Sequence, residues 1–237
     1  MITFNKHLLE FYQFIQQYSF DLPKDIKAIQ TYEGVVFENL SKFFKQYYND
    51  ANSRNLILGI NPGRKGAGVT GIPFTDSERL NQILGIKGDK GKKSYEPSAD
   101  FFYKAIHSYG GAKEFYNDFL VSSVSPVGFL KLNKRENWVN YNYYDDAELK
   151  SICQAFIIES MDRILELPIN RKKVLCLGSG KNYKELLQLN EQHNWFESII
   201  PIEHPRYIIQ YKRKDIDAYK LKYVSALTEI KKSQLDS

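Results

Sequence analysis

The sequence predicts an α/β fold, a three-layer α/β/α sandwich built on a central, mostly parallel, four-stranded sheet. Short apolar runs that end at Pro or Gly alternate with stretches of helical hydrophobic spacing. Strands that alternate with helices favour a parallel sheet covered on both faces. With 237 residues, of which 43% are hydrophobic, the chain can bury a substantial core. We expect a single domain over residues 1–237.

The first fifty residues are expected to add helices to this sheet. Apolar side chains recur at helical spacing over residues 4–17 and again over residues 35–48. Both stretches precede the first apolar run. Residues 1–50 are therefore interpreted as an N-terminal helical decoration of the domain.

The four predicted strands each stop at residues that break strands. They cover residues 55–60, 119–124, 173–177 and 198–202. Helices are predicted over about 98–109, 145–166, 181–191 and 212–232. Ligands of open parallel sheets bind at the carboxyl ends of the strands, so we expect the site at that edge.

Composition narrows the class of protein. Lys and Arg number 33 against 28 Asp and Glu, and the net charge of +5 permits a polyanionic partner without requiring one. Cys153 and Cys176 imply no disulfide framework, and two cysteines cannot hold an iron–sulfur cluster by themselves. We expect no cofactor, no metal and no membrane span, and a cytoplasmic protein, associated with the nucleoid if it is bacterial.

The stretch after the first strand is the most informative part of the sequence. Residues 59–74 read GINPGRKGAGVTGIPF, which places the neutral side chain of Asn61 at the strand end. Its glycines let backbone approach a ligand closely, but they do not follow the dinucleotide-binding pattern. The turn at residues 178–181 also fails the nucleotide-triphosphatase pattern, because Asn182 follows its lysine.

This stretch resembles the first motif of the uracil-DNA glycosylase superfamily. In its single-strand-selective monofunctional (SMUG) branch, Gly-Met-Asn-Pro-Gly leads to Thr-Gly-Val-Pro-Phe, with the Asn-to-Phe separation of 13 residues that joins Asn61 to Phe74 here. The mismatch-specific branch spaces the Phe one residue closer. It also lacks the His of the second motif, which this chain has as His204. The chain is identified as a SMUG-like member, and the resemblance covers about residues 50–230.

The resemblance implies a role for each motif residue. Asn61 would orient the attacking water, and His204 would donate a hydrogen bond to the departing base. Phe74 would stack on the base, while backbone groups of Gly63 and Ala67 would contact its ring. Glycine at position 63 would also leave room near C5 of the base, which would admit 5-substituted uracils.

These residue types suit the cleavage of an N-glycosidic bond. The sugar becomes positively charged as the base departs as an anion, so a strong base is not needed to activate the water. The resemblance implies a monofunctional DNA glycosylase for uracil and related deaminated or 5-modified bases, acting in base excision repair. Its partner would be DNA with the target nucleotide flipped out or single-stranded, and we expect a monomer.

Two departures predict an atypical member. Ser123 stands where the family usually has an Asn that reads the pyrimidine edge. A hydroxyl is shorter and less selective than an amide, so we expect weaker discrimination among bases. The segment after His204 is two residues shorter than in the family, and Arg206 or Tyr207 is expected to fill the gap left by the flipped base. Lys181 and Lys212 are expected to contact DNA.

Two other functions remain open from the sequence. One is a nucleic-acid-binding protein of the same fold with weak or no catalysis. The other is a small-molecule hydrolase that binds nucleotides. Taken singly, Asn61 would be read as a turn residue and Phe74 as a core residue. Their spacing, together with His204, favours the catalytic interpretation.

Overall fold

The structure is a computed structural model that describes residues 3–29, 32–88 and 93–235. Helices in these ranges are α1 (Phe4–Gln17), α2 (Gly34–Tyr47), α3 (Ala67–Thr70), α4 (Ser77–Gln82), α5 (Pro97–Tyr109), α6 (Ala112–Asp118), α7 (Ala147–Leu165), α8 (Lys181–His193), α9 (Pro205–Tyr211) and α10 (Ile216–Leu235), with a 3-10 turn at Arg213–Asp215. Strands are β1 (Ile26–Ala28), β2 (Arg54–Gly59), β3 (Phe119–Ser123), β4 (Phe129–Leu132), β5 (Trp138–Tyr141), β6 (Ile169–Leu177) and β7 (Ser198–Ile202).

The central sheet confirms the predicted α/β fold. Its order is β3-β2-β6-β7, and all three pairings are parallel rather than mostly so. Helix α10 packs on β2 and β6, α8 packs on β6, and α6 packs on β2 and β3. The four carboxyl ends therefore share one edge, as the sequence predicted.

The middle strand shows why this sheet forms. Leu56, Ile57 and Leu58 follow one another in β2 and are completely buried. A run of consecutive apolar residues is typical of a strand that is covered on both faces. Burying each such side chain contributes roughly 1.5–3 kcal/mol, so this strand anchors the core.

A second, smaller sheet was not predicted. It is antiparallel, with the order β1-β4-β5. One of its strands, Ile26–Ala28, belongs to the first fifty residues. The prediction that residues 1–50 add only helices is corrected accordingly: α1 and α2 lie where they were predicted, and a strand lies between them.

The C-terminal part contains one helix more than predicted. The stretch expected to form a helix over 212–232 forms α10 over Ile216–Leu235, after the 3-10 turn. Helix α9 precedes them and begins directly after His204. Within the described ranges, the helices are all too short or too polar to span a bilayer.

Candidate active site

A cavity of about 320 Å³ opens at the carboxyl edge of the central sheet. It is bordered by the ends of β2 and β3, by the loop between β2 and α4, and by α9. It brings together eight residues that the sequence proposed for the site: Asn61, Gly63, Ala67, Phe74, Ser123, His204, Arg206 and Tyr207.

The loop that follows β2 is packed tightly against the small sheet. A Cβ atom on Gly128 would lie 2.0 Å from the carbonyl oxygen of Pro62, so only glycine permits this approach. The N–H of Gly68 donates to the carbonyl of Gly63 at 2.9 Å, which closes the loop on itself. The segment that holds Asn61 is therefore supported from both sides.

The amide of Asn61 is held by backbone groups next to β5. Its Oδ1 accepts from the N–H of Tyr143 at 3.3 Å, and its Nδ2 donates to the carbonyl of Tyr141 at 3.4 Å. These two contacts orient the side chain, since each amide atom faces a backbone partner of the opposite kind. Nδ2 also donates to the carbonyl of Pro62 at 3.4 Å, so the capacity that remains for a ligand in the cavity is the second lone pair of Oδ1.

Phe74 occupies a backbone conformation that is uncommon for its residue type. Its φ is +52°, in the left-handed region. The ring centroid lies 4.8 Å from that of Phe102 and 5.5 Å from that of the His204 imidazole. The aromatic ring is thus fixed between a core residue and His204, beside the cavity that both His204 and Phe74 line.

His204 lies between β7 and α9 and is the cap residue of α9. Its Nδ1 accepts from the backbone N–H of Arg206 at 3.1 Å and so caps the helix. Burial, reinforced by the charge of Arg206, lowers the pKa of His204 from 6.5 to about 4. Above that pH the ring is neutral, and because Nδ1 accepts, its proton is on Nε2. His204 is therefore a hydrogen-bond donor without a positive charge.

The predicted DNA contacts divide into two groups. Arg206 and Tyr207 lie in the first turn of α9 and line the cavity, with Tyr207 42% exposed. Lys181 and Lys212 are not among the described residues that line it. The ammonium of Lys181 instead contacts the carbonyl oxygen of Tyr144. The proposed DNA contacts of both lysines stay predictions.

Sequence reasoning missed several residues that line the cavity. They are Glu96, Asn140, Asn142, Gln210 and Tyr211. Glu96 directly precedes Pro97, and a proline is typical of the first position of a helix. The sequence therefore placed Glu96 at the start of α5, although it did not place it at the cavity. Asn140 lies on β5 of the small sheet, for which no sequence signal was recognised.

Comparison with known proteins decides the family. A sequence model of the Uracil DNA glycosylase superfamily matches residues 45–228, which is most of the chain. The chain belongs to this superfamily. Its structure is similar to the crystal structure of wild-type SMUG2 from Pedobacter heparinus, with a TM-score of 0.92 and 40% sequence identity over 100% of both chains. A comparison with curated proteins found no match.

These findings confirm the predicted SMUG-like membership. The general type of function is that of a uracil-DNA glycosylase, which is a hydrolase. The cavity agrees with this family, since the two motif residues Asn61 and His204 follow strands that are far apart in sequence and line one cavity.

Proposed function

We propose that this glycosylase is monofunctional and hydrolyses the N-glycosidic bond of uracil and of related deaminated or 5-modified bases in DNA. It would act on its DNA partner as a monomer, in base excision repair, on a nucleotide that is flipped out or already single-stranded. The observation that supports this best is the convergence of Asn61, Phe74 and His204 around one cavity at the strand ends.

The proposed reaction begins with a water held by Asn61. The water oxygen attacks C1′ of the sugar while the C1′–N bond breaks. The electron pair of that bond leaves with the base. The attacking water gives its proton to solvent, and the departed base takes one up. Because the sugar carries positive charge in the transition state, positioning the water is enough. The two backbone contacts of Asn61 support this positioning role.

Stabilisation of the departing base is assigned to His204. Negative charge develops on the base as the bond breaks, and the Nε2–H of the neutral ring can donate a hydrogen bond to it. The low pKa of His204 supports this role, since the ring is neutral at physiological pH. Phe74 would stack on the base, and backbone at Gly63 and Ala67 would contact its ring.

Base selection is assigned to the cavity wall that includes Ser123. This serine ends β3, and its side chain is half-buried at the cavity. Its hydroxyl can donate or accept, so it fits more than one base edge. We therefore expect excision of uracil, hypoxanthine and xanthine, and 5-hydroxymethyluracil tests the space beside Gly63, which Oε1 of Glu96 and Nδ2 of Asn140 border.

Single-turnover cleavage of oligonucleotides tests the proposed function. Single- and double-stranded substrates would carry uracil, 5-hydroxymethyluracil, hypoxanthine or xanthine. We expect wild-type protein to form abasic sites and Asn61→Ala to be slower by about 10²-fold or more, because the water loses its orientation. The matched control is Asn117→Ala, since Asn117 is exposed on α6, outside the cavity, and its side chain donates a hydrogen bond to Asp118.

The cleavage assay, combined with measurements of DNA and nucleotide binding, separates the competing functions. If wild-type protein forms no abasic sites yet binds DNA, it is a nucleic-acid-binding protein of this fold. Tight binding of free nucleotides, without salt-dependent binding of DNA, would indicate a small-molecule hydrolase. Equal cleavage by wild type and Asn61→Ala would refute the proposed mechanism.

A further inference from the structure

Glu96 places a carboxyl group inside the candidate active site. Its backbone N–H donates to Oδ2 of Asp76 at 2.9 Å, which anchors the start of α5 beside the loop after β2. The side chain then lies over that loop. A Cβ on Gly66 would be 1.9 Å from Oε2 of Glu96, and one on Gly63 would be 3.3 Å from Oε1. The carboxyl thus occupies space that these two glycines leave open.

The space over Gly63 therefore differs from the sequence expectation. Glycine there was expected to leave open room beside the base. The structure shows that Oε1 of Glu96 and Nδ2 of Asn140 border this space, the latter 3.6 Å from where a Cβ would be. A base that reaches Gly63 meets a polar wall, and one of its groups is ionisable.

One oxygen of the Glu96 carboxyl group lacks a hydrogen bond within the described part of the chain. Its Oε2 is buried and has no hydrogen-bond partner among the described residues. Burial first, and then the charge of Asp76, raise the pKa of Glu96 to about 7, although Arg206 opposes the shift. The other titratable or charged groups around this part of the cavity are Arg64 on the loop and His204, Tyr207 and Tyr211 at α9.

The protonated form of Glu96 is suited to a particular ligand group. A neutral carboxylic acid presents an O–H donor, whereas the ionised form only accepts. Deamination replaces an exocyclic amino group, which donates, with a carbonyl, which accepts. It does so at C4 of cytosine and at C6 of adenine, so one donor can recognise the change in a pyrimidine and in a purine.

We propose that Glu96 contacts the flipped base and donates a hydrogen bond to the carbonyl that deamination creates, O4 of uracil or O6 of hypoxanthine. This inference rests on the proposed function. His204 approaches from α9 and Glu96 from α5, so the two donors reach the cavity from separate elements. No proton is transferred by Glu96, and its contribution is recognition of the base.

The proposal predicts a specific pH dependence. The donor is present below pH 7 and is lost as the pH rises through the pKa of Glu96. Single-turnover excision of uracil by wild-type protein should therefore fall about tenfold per pH unit above 7, to roughly 30-fold at pH 8.5. Glu96→Gln keeps an N–H donor at every pH, so its rate should stay within about threefold of the wild-type rate at pH 6 and should not fall at pH 8.5.

Two further variants complete the test. Glu96→Met keeps the approximate length without a donor, and it should be slower by about 10–10²-fold at pH 6 and show no fall with pH. Glu191→Gln is the matched control, because Glu191 is exposed on α8. It should keep the wild-type profile. Identical pH profiles for wild type, Glu96→Gln and Glu96→Met would overturn the role of Glu96.

A measurement on the wild type keeps the test independent of variant folding. An oligonucleotide with a non-cleavable 2′-fluoro uracil nucleotide should bind more tightly than the same strand with 2′-fluoro cytosine, and this preference should shrink at least fivefold between pH 6 and pH 8.5. A constant preference would overturn the proposal. Absence of abasic-site formation from every base would instead refute the proposed function itself, which separates the two failures.

Discussion

The two ring nitrogens of His204 have different roles. Nδ1 caps helix α9, and Nε2 is proposed to contact the departing base. The helix N-terminus needs an acceptor, which Nδ1 supplies to the N–H of Arg206. The departing base needs a donor, which the same hydrogen bond places on Nε2. The pKa of His204 is lowered as well, because burial first and then the charge of Arg206 disfavour a protonated ring.

Substitution of His204 should separate these two contributions. His204→Ala loses both, so we expect single-turnover excision to fall by about 10²–10³-fold and the free energy of unfolding by about 1 kcal/mol. His204→Asn retains a good helix cap and should unfold at the wild-type urea concentration while still losing most activity. An activity of His204→Ala within threefold of wild type would contradict the proposed role.

The predictability of the site residues follows from where they lie along the chain. Asn61 and Phe74 belong to one local segment whose spacing is visible in the sequence, and His204 is marked by Pro205 at a strand end. Glu96 and Asn140 reach the cavity only through tertiary packing, from a helix and a strand that are distant in sequence. Their residue types are ordinary, so no local pattern distinguished them.

Helix α9 is an element that the sequence did not predict, although its start is marked. Pro205 at its first position and His204 at its cap are recognised helix-start signals. However, the helix has only seven residues and two of them, Tyr207 and Tyr211, are exposed aromatics, so no apolar periodicity marks it. The shortened segment after His204 is therefore the first turn of a helix rather than a loop.

Because the segment after His204 is a helix, substitutions in its first turn can test which residue fills the gap left by the flipped base. The Tyr207 ring lies 5.4 Å from that of Tyr211 at the cavity mouth, and both are exposed. If Tyr207 fills the gap in a duplex, Tyr207→Ala should slow excision from double-stranded DNA by about tenfold and leave the single-stranded rate nearly unchanged, because an unpaired strand has no gap to fill.

The matched control for this prediction retains the ring. Tyr207→Phe keeps the bulk that would enter the base stack and should cleave both substrates at the wild-type rate. A selective loss on double-stranded DNA in Arg206→Ala, with Tyr207→Ala unaffected, would assign the gap-filling role to Arg206 instead.

The small antiparallel sheet forms the part of the site that holds the amide of Asn61, and sequence patterns did not predict it. Its strands have three or four residues, which is too short for alternation to be recognised. Strand β1 also pairs with β4, about a hundred residues later in the chain. Yet β5 and the residues after it hold the amide of Asn61, so the orientation of a predicted residue depends on an unpredicted element.

At the scale of the whole molecule, Arg54 links the N-terminal segment to the central sheet. Its side chain is fully buried at the start of β2 and forms hydrogen bonds of 2.6 and 2.8 Å with the carboxylate of Asp50. It also donates to the carbonyl oxygens of Tyr47 at the end of α2 and of Tyr116 on α6. Because this buried charge joins three elements, it supports the prediction that residues 1–237 form one domain.

The two tryptophans allow that prediction to be measured. Trp138 lies on β5 with the ammonium of Lys27, from β1, 4.0 Å above its ring, so its fluorescence reports on attachment of the N-terminal segment. Trp195 is buried before β7 and donates to Asp162 at 2.8 Å, so it reports on the central sheet. In Trp138→Phe and Trp195→Phe, the remaining tryptophan should show one urea transition that coincides with the loss of helical circular dichroism.

Removal of Arg54 should then destabilise both regions together. Arg54→Met leaves the carboxylate of Asp50 and the carbonyl groups of Tyr47 and Tyr116 without their partner, and because Asp50 is 35% exposed we expect a cost of about 1–3 kcal/mol of unfolding free energy. In a single domain, the midpoints reported by Trp138 and Trp195 must move down by the same amount, because unfolding of either region exposes the other. A shift seen by Trp138 alone would mean that residues 1–50 and the small sheet unfold as a separate unit.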